Sequence, residues 1–152
     1  MNLRASADDL RAETPYAGLS PEIVLDALDA VGLRGDGRLI QLNSYENRVF
    51  QVFLEDGRVV VAKFYRPGRW SDAQILEEHA FAAELAEHEI PLAAPWPLTA
   101  DPRSLHAARL TSLGATLASL ATTDAGNYRF AVAERRAGRA PEVENVEVLE
   151  WI

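Results

Sequence analysis

Apolar Ile23, Val24, Ala27, Leu28 and Val31 recur at helical spacing, with Glu22, Asp26 and Asp29 off their face. This pattern predicts an amphipathic helix running to about Val31. Its ends are marked too: Ser20 stands at the N-cap with Pro21 at the first helical position, Leu19 is placed to staple onto Val24, and Gly32 is placed to end the helix. The period then shortens to β-rich runs over about Arg38–Leu42, Arg48–Leu54 and Val59–Tyr65, the last two joined by the hairpin signal Glu55-Asp56-Gly57. Helical spacing returns after Ser71-Asp72-Ala73-Gln74, a capping box with Trp70 placed to staple onto Ile75, and runs to about His88 before Ile90-Pro91 ends it. The proline-rich stretch 91–102 reads as a surface loop, and 103–114 fits either a helix or a loop. Ala115–Ala121 and Tyr128–Ala133 read as two more strands, Arg135–Arg139 as a connector, and Val148–Ile152 as the opening of a further helix. Residues 1–18 are polar and aperiodic, and are expected to form a loose arm.

Composition narrows the class. The chain has 152 residues, 48% of them hydrophobic, enough for the core of one domain or of half a two-lobed one. A net charge of −8 argues against a general binder of nucleic acid or acidic membranes, because such binding draws on clustered cations. With no cysteine, disulfides, thiolate zinc sites and cysteine nucleophiles are all excluded. The start Met1-Asn2-Leu3-Arg4 leads into charged residues, and no run reaches membrane-spanning length, so a soluble cytoplasmic protein with no membrane partner is expected. His79 and His88 are not at a one-face metal spacing, and no serine is tied to a histidine, so neither a metal site nor a serine triad is expected.

One residue type then changes the picture. Lys63 is the sole lysine, within Val59-Val60-Val61-Ala62-Lys63-Phe64-Tyr65, while arginine fills every other basic position. In an extended strand Lys63 projects from an apolar surface whichever face is the core, so its ammonium needs an anion. On the following helix Glu78 shares a stripe with Ile75, Ala82 and Leu85, whereas Glu77 aligns with Phe81, Glu84 and His88, which makes Glu78 the inward carboxylate by this count. Spacing alone leaves two readings: a lysine fixed by Glu78 to meet phosphate, or a partly exposed strand-end lysine beside a solvated Glu77-Glu78 pair.

The residues around Lys63 carry a resemblance. Leu42-Asn43-Ser44-Tyr45-Glu46-Asn47-Arg48-Val49, the hairpin, Val61-Ala62-Lys63-Phe64-Tyr65-Arg66-Pro67-Gly68-Arg69-Trp70 and Gln74-Ile75-Leu76-Glu77-Glu78-His79 closely resemble the bacterial stress response kinase A family. That family has a protein-kinase-like fold related to the aminoglycoside phosphotransferases. The likeness covers 19–98 well and 128–152 moderately. It implies that Asn43–Arg48 is the loop covering a nucleotide, with Ser44 and Asn47 supplementing donors to phosphate. It implies further that Val49 and Val61 flank the adenine, that Lys63 binds the α and β phosphates with Glu78 orienting it, and that Ala133–Arg136 is the hinge. Residues 99–127 and the charged Glu134 depart from the pattern.

The expected architecture is therefore α+β: a kinase-like N-terminal lobe over 19–134, with a five-stranded antiparallel sheet, the Ser71–His88 helix packed on it and an extra N-terminal helix. Residues 135–152 would form the hinge and the start of a cut helix. Kinases of this fold take their catalytic base and magnesium ligands from a C-terminal lobe, and no Asp-Phe-Gly or Asp-x-Asp occurs in this chain. The C-lobe is thus expected to be absent, and the chain to be an ATP-binding lobe, inactive alone, of a serine/threonine protein kinase. Its expected cofactors are ATP and Mg2+, the latter held by the missing lobe. Its expected partner is a protein substrate, with no nucleic acid, and the complete enzyme is expected to be a monomer. The alternatives are a noncatalytic module binding a nucleotide or a partner, and the lobe of a small-molecule phosphotransferase of the aminoglycoside or choline type.

Overall fold

A computed structural model describes residues 16, 18–42, 46–88, 93–122 and 126–135. Six strands form one antiparallel sheet: β1 (Gly35–Leu42), β2 (Arg48–Leu54), β3 (Val59–Phe64), β4 (Leu110–Ser112), β5 (Ala118–Thr122) and β6 (Gly126–Glu134), in the order β1-β2-β3-β6-β5-β4. Two helices, α1 (Pro21–Ala30) and α2 (Asp72–Glu87), accompany it, with a short 3-10 turn at Ala107–Arg109. The sheet has six strands where the sequence pattern predicts five. The sixth, β4, lies in the stretch that fits helix or loop, and three residues with two exposed hydroxyls are too few to show a period.

The predicted helix ends are present in detail. Ser20 Oγ accepts the Ile23 N–H at the start of α1. At its end Gly32, at φ 86°, lets its own N–H reach the Asp29 carbonyl while the Leu33 N–H reaches that of Leu28. At α2 the Ser71 hydroxyl and the Gln74 side chain exchange bonds with each other's backbone N–H groups at 3.1 and 2.9 Å. The β2–β3 hairpin turns on Gly57, at φ 93°.

Alternation along the strands separates two apolar layers. Phe50, Val52, Val60, Ala62, Phe64, Phe130 and Val132 face α1 and pack with Val24, Ala27 and Leu28. Phe64 and Phe130 stack at 5.4 Å between ring centroids. The opposite face carries Tyr65, Leu117 and Ala131, which pack with Ile75 of α2 and with Trp70. The Arg129–Asp72 ion pair, at 2.8 Å, ties β6 to the first turn of α2. The described part of the proline-rich stretch is less loop-like than expected. Pro95 bridges Ala133, the Trp96 N–H donates to the Val132 carbonyl at 2.7 Å, and Trp96 packs into the α1-side core. Residues 1–15 and 17 of the N-terminal arm, Ser44, Ile90-Pro91 and the connector from Arg136 onward lie outside the described residues, whereas Tyr16, expected in the loose arm, is buried in the α1-side core.

Candidate functional site

β3 places Lys63 on the α2 face of the sheet, across from Val49 of β2 and Ala131 of β6. The residue is buried, at 4% exposure. Among the described residues no carboxylate lies within 4.0 Å of its ammonium. The ammonium stands instead over the face of Tyr65, at 4.9 Å from the ring centroid. Burial pushes the Lys63 pKa down to about 8, and the charge of Glu78 offsets part of that effect.

Lys63 opens onto a cavity of about 730 Å³ between the sheet and α2, bordered by Asn47, Tyr65, Trp70, Gln74 and Glu78. Glu46 and Glu77 also reach its wall. Glu46 is partnered by Arg69 at 3.0 Å, so its charge is largely offset, and Glu77 sits on an exposed part of the helix. Among the described residues Lys63 is the one cation lining the cavity.

The inward stripe of α2 differs from the one expected. The buried residues are Ile75, His79 and Ala82. Glu78 is exposed, on the flank of the helix that borders the cavity, and acts on Lys63 through space rather than by contact. Spacings of 75, 79, 82 and of 75, 78, 82 both follow one helix face, and Glu78 faces Lys63 from the edge of the buried stripe, not from within it. The correction brings forward three residues that sequence reasoning missed. Tyr65 Oη and His79 Nε2 are 2.7 Å apart, and His79 Nδ1 and Thr116 Oγ1 are 2.8 Å apart. Burial, then the charge of Lys63, holds the His79 pKa down at about 4, so the ring is neutral at pH 7. Burial, then the charge of Glu78, pushes the Tyr65 hydroxyl above its ordinary range.

The remaining expected site residues divide. Asn47 lines the cavity, and its Oδ1 accepts the Arg66 N–H at 3.1 Å, so it also ties the segment before β2 to the segment after β3. Val49 and Val61 share the Lys63 face but do not border the cavity, and Val49 is buried. In the expected hinge, Ala133 pairs with Val61, Glu134 is exposed and the Arg135 N–H reaches the Val59 carbonyl. Among the described residues no cluster of three His, Asp or Glu is arranged to hold a metal, and no helix is long and apolar enough to cross a membrane.

A buried cation with no carboxylate in contact among the described residues suits an anionic ligand. The chain is 40% identical over 137 residues to "Serine/threonine protein kinase RdoA" of Salmonella typhimurium, covering 90% of this chain and 36% of the relative. It is 54% identical over 80 residues to "Stress response kinase A" of Escherichia coli, covering 53% of this chain and 24% of the relative. It thus spans about a third or less of the length of these curated kinases and aligns with an N-terminal portion of them. Among solved structures it superimposes on the amicoumacin kinase hAmiN, in complex with AMP-PNP, Ca2+ and Ami, with a TM-score of 0.59 at 20% identity, over 89% of this chain and 36% of that one. That likeness shows the fold, which is the N-lobe region of a kinase-like protein. The model of the phosphotransferase enzyme family matches residues 38–151, from the middle of β1 through the Lys63 site and beyond β6, and the chain belongs to that family.

Proposed function

We propose that this chain holds ATP for phosphoryl transfer, as the N-terminal lobe, over 19–134, of a serine/threonine protein kinase. One observation carries the reading. The chain's sole lysine is buried at the wall of a cavity with no carboxylate in contact among the described residues, which leaves its three N–H donors for an outside anion. A buried cation left so is unfavourable in the empty protein and becomes favourable when phosphate arrives. In this reading Lys63 binds the α and β phosphates, Glu78 biases its position from the cavity rim, and Asn47 and Ser44 belong to the segment that covers the nucleotide. Val61, partly exposed on the same face, offers apolar surface for the adenine, with Val49 buried opposite Lys63. Magnesium entering with ATP supplies further neutralisation of phosphate charge, while this chain contributes the fixed cation. Proteins bearing the relatives' names support a protein acceptor for the whole enzyme.

Calorimetry with ATP tests this. The 152-residue chain should bind with roughly millimolar affinity, on the order of −4 kcal/mol, and Lys63→Met should remove the binding while leaving the fold intact by circular dichroism. Binding of equal strength in the parent and in Lys63→Met would show that Lys63 is not the phosphate ligand.

A further inference from the structure

Tyr65 and His79 make a polar pair in a place where apolar packing would serve. Tyr65 belongs to the cluster of Ile75, Leu117 and Ala131, and His79 is 5% exposed. A phenol and an imidazole buried there are costly unless every polar atom is bonded. All of them are: Tyr65 Oη meets His79 Nε2 at 2.7 Å and His79 Nδ1 meets Thr116 Oγ1 at 2.8 Å. A neutral imidazole has one donor and one acceptor. The phenol is a stronger acid than the threonine alcohol, so Tyr65 donates to Nε2 and Nδ1–H donates to Thr116.

That direction matters for Lys63. Giving its hydrogen to an imidazole raises electron density on the phenol oxygen and on the ring, and the ring face is where the ammonium rests. The same imidazole also fixes the helix. His79 adjoins Glu78 in α2, one of its nitrogens is tied to Tyr65 at the end of β3, and the other to Thr116 between β4 and β5. Its neighbour Gly114 admits this close approach, since a Cβ there would stand 2.7 Å from Leu76 of α2.

We infer that His79 is a positioning residue for the phosphate-binding cation: through Tyr65 it sets the seat of the Lys63 ammonium, and through Thr116 it holds Glu78 at the cavity rim. The inference rests on Lys63 being the phosphate ligand only for its effect on ATP, because the seat itself is measurable without nucleotide.

The single lysine makes that measurement direct. In chain labelled with 13C-lysine, Lys63 contributes the only lysine side-chain signal, and its titration is followed by NMR in the parent, Tyr65→Phe, His79→Phe and His79→Gln. In Tyr65→Phe and His79→Phe the Lys63 midpoint should fall by roughly half a pH unit, and ATP affinity should weaken about threefold. His79→Gln, whose amide still accepts from Tyr65, should restore most of the midpoint. A merely structural role would lower the unfolding midpoint and leave the Lys63 titration where it was, and that result overturns the inference. If His79→Phe fails to fold, Tyr65→Phe decides the matter alone, because it keeps the ring and removes only the hydroxyl. A moving midpoint with no ATP binding by the parent would retain the positioning role and reject the nucleotide reading. Lysine-dependent ATP binding with an unmoved midpoint would do the reverse.

Discussion

Replacing Lys63 by methionine, which keeps most of its volume, should make the folded chain more stable at neutral pH and less so as the pH rises. Lys63 is 4% exposed, and burial lowers its pKa from 10.5 to about 8. Between those values the unfolded chain binds a proton that the folded chain does not, so stability increases with pH across that interval. The cost of holding the charge is fully present below pH 8 and gone above pH 10.5. A gap of about 2.5 pH units corresponds to about 3 kcal/mol, an order-of-magnitude figure for how strongly the empty site disfavours its own cation. Urea unfolding of parent and Lys63→Met at pH 7 and pH 9.5 measures it. Methionine should gain at pH 7, and the gap should close by about 2 kcal/mol at the higher pH. Tyr65 stays protonated throughout, since burial raises its pKa, and does not blur the comparison. A variant less stable than the parent at pH 7, or a gap independent of pH, would refute the argument that Lys63 is held against its own desolvation.

Glu78→Gln should lower the Lys63 titration midpoint, because the attraction that offsets burial is lost, whereas Glu77→Gln should leave it in place; NMR titration of the single lysine reads both, and the opposite result would assign the rim carboxylate to Glu77. Ser71→Ala removes the hydroxyl that accepts the Gln74 N–H and half of the capping box, and should destabilise the chain by about 1 kcal/mol in thermal melts, while Ser71→Asp should retain most of the stability.

Features governed by local chemistry were legible in the sequence. Ser20, Gly32, Asp56-Gly57 and the Ser71 box mark boundaries through bonds made within a few residues, and the structure places them as read. Lys63 stood out because it is alone of its kind in an apolar run. What stayed hidden depends on residues far apart in the chain. β4 is a strand only because β5 lies beside it, and Pro95 runs along β6 through a pairing that proline-rich composition does not suggest. The Tyr65–His79–Thr116 bonds join residues separated by 14 and 37 positions. A histidine on a helix with no histidine neighbour gives no sign of them.

The two outer strands of the sheet bear on how the protein fails. Among the described residues β1 and β4 each have a side with no partner strand. Such margins invite pairing with another molecule unless something interrupts them. β4 offers only three residues, two of them exposed hydroxyls. β1 is longer, but its register shifts between Gly35 and Leu39, Gly37 takes φ 105°, and Arg38 is clamped by Asp36 at 2.8 Å while lying over the Phe53 ring at 4.4 Å. A kinked border carrying a fixed guanidinium is a poor template for a straight incoming strand. The native sheet is therefore poorly suited to recruiting copies of itself along either border.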